Sequence, residues 1–285
     1  MDSNSNAIEL ENISVVYGQG TAIEKKALDN ISVAFPASKV IGLIGHTGSG
    51  KSTLAMLLNG LNKPTSGKVR LFGKDIWSEP KKIKDVRFEV GIVFQYPEAQ
   101  LFEETVYKDI AFGPRNMKLP DEEIKKRVYE ASEFCGIDEE TLNKSPFELS
   151  GGQKRRAAIA GVIAMSPKVI VLDEPAAGLD PAGRDSILGG LLEYRKKHDA
   201  TMIIISHSME DIAKYADLIL VLKDGRVYTY GTVDEIFSNA EKLFDASLDL
   251  PQITKLFIEL EKRGLCTETN CFTVEKASER ILSKC

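Results

Sequence analysis

The chain reads as an α/β protein in three blocks: a β-rich front, a helical middle and an α/β back half. A helical stretch follows them. Three observations predict this. Short Val- and Ile-rich segments bounded by Gly, Asn and Lys recur at 8–17, 27–35, 39–44, 68–72 and 90–94, as strands do. Between about 97 and 167 the apolar spacing becomes helical. Strand-like runs then return at 169–172, 201–206, 217–222 and 226–230. Helical stretches separate the first three of these, which is the spacing of parallel βαβ units.

Taken in order, the clearest helix of the middle block opens at Asp121-Glu122-Glu123, an acidic first turn that complements the helix dipole. Ile124, Val128, Ala131 and Phe134 fall on one face of it. Beyond Gly231, Thr232-Val233-Asp234-Glu235 is a capping box. Pro251 suits a first helical position, and Ile253, Leu256, Phe257 and Leu260 form an apolar stripe that ends at Gly264. Residues 1–230 thus read as the main unit, with the helical part at about 96–166, and 231–285 as a C-terminal helical extension.

Composition narrows the function classes. With 43% hydrophobic and 28% charged residues the chain is ordinary globular material, which excludes collagen-like and wholly disordered readings. A net charge of −5 excludes a surface that is basic throughout, so no nucleic-acid partner is expected. The longest apolar runs, at 169–172 and 218–222, fall far short of the roughly 20 residues that span a bilayer. The polar stretch 1–6 lacks the design of a signal peptide. Cys135, Cys266, Cys271 and Cys285 form no CxxC pair and are read as reduced thiols of a cytosolic protein.

Three motifs carry chemistry. Gly45-His46-Thr47-Gly48-Ser49-Gly50-Lys51-Ser52 fits G-x-x-x-x-G-K-[ST] between an apolar strand and a helix that continues from Thr53. Glycines there let backbone N–H groups turn toward phosphate oxygens, and the helix N-terminus adds a positive dipole end. Lys51 would reach the β- and γ-phosphates of a nucleotide, and the Ser52 hydroxyl would hold Mg²⁺. The apolar run 169–172 ends in Asp173-Glu174. Asp173 would bind Mg²⁺ through water, and Glu174 would act as general base on the attacking water. Finally, Leu149-Ser150-Gly151-Gly152-Gln153 precedes a helix expected from Lys154 to about 165, so free N–H groups face an anion.

With these motifs in this order the chain resembles the nucleotide-binding subunits of ABC transporters, over residues 7 to about 230. The resemblance implies a P-loop NTPase cassette with a β-subdomain, a RecA-like core and a helical subdomain, plus the C-terminal helical extension. It implies that Tyr17 stacks on adenine, that Gln95 touches Mg²⁺ and the attacking water, and that His207 contacts the γ-phosphate. Leu149 to Gln153 would meet the γ-phosphate bound by an opposing chain, and Ala177-Gly178-Leu179-Asp180 would cross the dimer interface. Ala176 stands where many members have Thr or Ser. His46, within the phosphate loop, and His198 receive no catalytic role.

Gln95-Tyr96-Pro97-Glu98-Ala99-Gln100-Leu101-Phe102-Glu103-Glu104-Thr105-Val106, with Asp109 to Pro114 after it, is similar to ATPase subunits of energy-coupling factor transporters and cobalt or nickel importers, and closer to the second ATPase of that group. That likeness implies an ATP- and Mg²⁺-dependent motor on the cytoplasmic face of the cell membrane. Its partners would be a second ATPase subunit, a transmembrane coupling subunit and a separate substrate-binding membrane subunit. Glu98, Glu103 and Glu104 would face arginines of the coupling subunit. The alternatives are a soluble ABC ATPase acting on ribosomes or DNA, and a nucleotide-dependent assembly module.

Overall fold

The computed structural model describes residues 6–265 and 270–283. β1 (Asn6–Tyr17) and β2 (Lys25–Pro36) pair antiparallel, and β1 also pairs with β4 (Ser66–Leu71), which carries the two-residue β5 (Lys74–Asp75) at its edge. A second, six-stranded sheet holds β3 (Val40–Ile44), β6 (Val90–Val93), β7 (Val169–Asp173), β8 (Thr201–Ile205), β9 (Leu218–Lys223) and β10 (Arg226–Thr232). Its order is β10-β9-β3-β8-β7-β6, parallel except for the β9–β10 hairpin.

The strand pleat divides the interior in two. Ile170 and Leu172 of β7, Met202 and Ile204 of β8, and Ile219 and Val221 of β9 face one cluster. Their alternates Val169, Val171, Ile203, Ile205, Leu220 and Leu222 face the other. The second cluster is closed by α1 (Lys51–Leu58) and the four-stranded sheet. The first is closed by α3 (Val106–Asn116), α4 (Asp121–Phe134), α5 (Glu139–Asn143), α6 (Gly151–Ile163), α7 (Pro181–His198) and α8 (Met209–Tyr215). Residues of α9 (Val233–Phe237) and α10 (Ala240–Asp245) join that same cluster through Ile236, Phe237 and Leu243. α11 (Gln252–Lys262) and α12 (Val274–Ser283) enclose a third, small cluster of Phe257, Cys271 and Ala277.

Several expectations shift locally. α2 (Ile83–Glu89) and β5 were not anticipated, being short and charged. α6 begins at Gly151 and not at Lys154, because Ser150 and Gln153 close a capping box that draws both glycines into the first turn. Pro251 is the residue before α11, outside its first turn. In the expected stripe Phe257 is buried but Leu256 is 47% exposed. His198 stacks on Tyr194 at 4.4 Å between ring centroids and reaches Glu130 at 3.3 Å, a structural role between α7 and α4. Cys135 is a buried thiol whose pKa burial pushes up to about 12. Cys266, Cys285 and residues 1–5 of the polar start lie outside the described residues. Among the described residues, no helix is long and apolar enough to cross a membrane.

Candidate nucleotide site

The parallel strands deliver the expected residues to one edge of the sheet. Val93 of β6 stands opposite Leu172 of β7, and Leu172 opposite Ile204 of β8. Gln95, Asp173, Glu174 and His207 therefore all leave the carboxyl ends of adjacent strands, the edge at which open α/β sheets bind ligands. The phosphate loop leaves β3 at the same edge.

The loop conformation depends on glycine at two points. A Cβ on Gly45 would collide with the Leu222 carbonyl oxygen and with Ser49 Oγ. Gly50, at φ 106°, is left-handed, and a Cβ there would lie 2.8 Å from the Ala27 carbonyl oxygen. Lys51, the first residue of α1, is 8% exposed; its Nζ donates to the carbonyls of Gly45 (2.6 Å) and His46 (3.1 Å). Burial lowers its pKa, and the charges of Asp173 and Glu174 pull it back. Beside it, Ser52 Oγ donates to Asp173 Oδ2 at 3.4 Å. A hydroxyl and a carboxylate in contact are hard oxygen donors that suit Mg²⁺ shared with phosphate oxygens.

Glu174 turns out of the strand with a left-handed backbone, φ 52°. Its N–H donates to the Ile205 carbonyl at 3.0 Å, and its Oε1 accepts the backbone N–H of His207 at 2.7 Å. The His207 ring is exposed, with Nε2 4.0 Å from that oxygen. Burial raises the pKa of both Asp173 and Glu174 from their ordinary values.

Tyr17, Lys25, Ala27, Gly48, Gly50, Lys51, Ser52 and Thr53 line one cleft. Tyr17 Oη donates to Thr53 Oγ1 at 3.4 Å and accepts from Asn62 Nδ2 at 2.8 Å, and the residue is 41% exposed. Lys25, Ala27 and Asn62 escaped the sequence reading; only the pairing of Tyr17 with Lys25 across β1 and β2 brings the first two in. Thr47 and Ser49 complete the loop, which is braced from behind by the β9–β10 turn. There the Gly225 N–H donates to the Ser49 carbonyl at 3.1 Å, and His46 Nε2 approaches Asp224 at 3.4 Å.

None of the remaining sequence-predicted residues lines this cleft. Gln95 is exposed, two residues beyond β6. Of Leu149 to Gln153, none lines the cleft: Leu149 is buried, and Ser150 caps α6, its Oγ accepting the Gln153 N–H at 3.3 Å. A Cβ on Gly151 would meet open space. Asp180 caps α7 by accepting the Gly183 N–H at 2.8 Å. Glu98 is not a free docking charge; Arg155 holds it at 3.1 and 3.2 Å. Glu104 pairs with Lys108.

A model of the ABC transporter family matches residues 28–177, which span the phosphate loop, the Ser150 helix start and Asp173-Glu174. The chain belongs to the ABC transporter family. Within it, the cassette is 52% identical over 275 residues to the energy-coupling factor transporter ATP-binding protein EcfA2 of Caldanaerobacter subterraneus, with 96% of each chain covered. It is 50% identical over 276 residues to the protein of the same name in Clostridium acetobutylicum, again with 96% of each covered. Among solved structures, cbiO1 of Clostridium perfringens, described as part of the ABC transporter complex cbiONQ, is 41% identical. It superposes with a TM-score of 0.75 over 88% of this chain and 98% of its own. A dimeric ATP-binding cassette in a post-hydrolysis state with ADP and Pi is 27% identical, with a TM-score of 0.71 over 79% and 98%. The ABC cassette is thus an ATP-binding, ATP-hydrolysing chain of the energy-coupling factor group.

Proposed function

We propose that this ABC ATPase is the motor of an energy-coupling factor importer, driving uptake of a vitamin or transition-metal ion through partner membrane subunits. The observation that carries the reading is Glu174, fixed by the His207 N–H beside Asp173 and Lys51 at the mouth of the phosphate loop. ATP lies with its adenine on Tyr17 and its phosphates against the N–H groups of Gly45 to Thr53. Lys51 exchanges its two carbonyl partners for β- and γ-phosphate oxygens. Ser52, Asp173 and Gln95 would hold Mg²⁺, which when bound would supply positive charge against the phosphates. Glu174, with a pKa raised by burial, takes the proton of the attacking water, and His207 steadies it and reaches the γ-phosphate.

Ser150, Gly151 and Gln153 are exposed at the start of α6, and none of Leu149 to Gln153 lines their own chain's cleft, which supports their acting on ATP held by a second ATPase, self or paralogue, with Asp180 at the join. Residues 1–230 form the cassette and 231–285 an extension of it. The chain rests on the cytoplasmic face of the membrane, docked on a coupling subunit, while a separate membrane subunit selects the cargo. Copurification of the assembled complex, with identification of its chains and a steady-state ATPase assay, tests this. Recovery of the chain with ribosomes or DNA instead, or an assembled complex without turnover, overturns it.

A further inference from the structure

Arg155 is 4% exposed, although it stands in the run Lys154-Arg155-Arg156. Its Nε and Nη2 donate to the two oxygens of Glu98 at 3.2 and 3.1 Å, a fork-to-fork pair, and its Nη1 donates to the Ala177 carbonyl. These three anchor points belong to three different pieces of the site. Arg155 lies on α6, one turn beyond Ser150. Glu98 lies three residues after Gln95, in a short 3₁₀ turn entered through Tyr96, whose backbone is left-handed at φ 59°. Ala177 lies between Glu174 and Asp180. Two of these pieces, α6 and the loop before α7, meet again where a Cβ on Gly152 would touch Leu179.

An ion pair with one partner buried and the other half-buried contributes little net stability over an apolar replacement, because desolvation offsets the attraction; what it fixes is relative position. We propose that Arg155 is a positioning residue that locks the Gln95 segment, the Ser150 helix start and the Asp180 loop into one register, so that all three engage nucleotide between paired cassettes as a unit. The inference rests on the composite-site reading above. Neither Arg155 nor Glu98 lines the Tyr17–Thr53 cleft, so their loss leaves nucleotide binding to the single chain intact.

Arg155→Ala would strand Glu98 and destabilise the fold, so the test uses Arg155→Lys, which keeps the charge and loses the fork, and Glu98→Gln. Both are placed in a Glu174→Gln background, where ATP-dependent pairing is followed by light scattering during an ATP titration, with the copurified second ATPase present. Fluorescent ATP-analogue affinity and thermal midpoint are measured on each chain. Either change should raise the ATP needed for half-pairing at least ~10-fold, the worth of one hydrogen bond to a charged group, with analogue affinity unchanged. In the assembled complex carrying Glu174, the same changes should lower kcat and spare KM. A fall in thermal midpoint with pairing unshifted makes the pair a fold brace only and overturns the inference. If the Glu174→Gln parent stays unpaired in ATP, the composite-site reading itself fails.

Discussion

Asp173 and Glu174 are sequence neighbours, yet the fold gives them different surroundings. Asp173 ends β7 in the strand conformation and accepts from Ser52, while Glu174 turns left-handed and accepts from the His207 backbone. That split suits one carboxylate to metal and the other to water. Glu174→Gln removes the proposed base and keeps the side chain's shape and the proposed metal donors Ser52 and Asp173. Turnover should fall at least ~10²-fold while ATP binding survives, and size-exclusion chromatography with ATP should show a paired species; near-normal turnover refutes the role. Lys51→Ala removes a buried charge that already rests on two loop carbonyls. ATP affinity should drop at least ~10-fold with the circular dichroism spectrum unchanged, and calorimetric titration checks it. These residues were legible in sequence because the phosphate loop and the Asp-Glu pair are contiguous. Arg155 was not: its partner Glu98 is 57 positions away, and a Lys-Arg-Arg run reads as a solvated helix face. Only the fold separates buried Arg155 from Arg156, which is half-buried and donates to the Cys135 carbonyl.

At the scale of elements, α7 carries two adjacent glycines in opposite circumstances. A Cβ on Gly189 would meet nothing within 4 Å, whereas one on Gly190 would overlap the Phe134 carbonyl at the end of α4. Gly189→Ala should therefore stabilise the chain by about 0.5–1 kcal/mol through helix propensity. Gly190→Ala should destabilise it by about 1–3 kcal/mol by forcing α4 off α7. Denaturant titration of both variants checks the sign, and a Gly190→Ala chain as stable as its parent removes the close approach. Elements of this kind explain what the sequence could convey. α4 and α9 were readable from an acidic first turn and a capping box, which are local devices. β5 is two residues long and gains its strand conformation only from Arg70 and Leu71 across the hairpin, so no local pattern announces it. The start of α6 moved because reciprocal Ser150–Gln153 bonds outweigh the low helix propensity of two glycines.

For the whole molecule, the proposed action of Ser150, which caps α6 and does not line its own chain's cleft, on nucleotide held by a second cassette would make activity a property of pairs. Specific ATPase activity should rise with concentration of the chain and its partner. Ser150→Arg, which sets bulk and charge on the exposed helix start, should abolish turnover and leave single-chain ATP binding intact. Constant specific activity from a proven monomer refutes the composite site. The interior has a corresponding unevenness. The six-stranded sheet is one wall shared by two large clusters, so neither can melt without the other. α11 and α12 share the small cluster of Phe257, Cys271 and Ala277 and reach the main core only through Ile258, Phe272 and the Gln252–Glu210 bond among the contacts described, with Leu256, Val274, Ile281 and Leu282 left open to solvent. Local opening free energies follow the number of apolar contacts broken. Those two helices are therefore the first to open on gentle heating, and a protease would trim the chain from this end while the nucleotide edge, framed by the shared wall, still holds ATP.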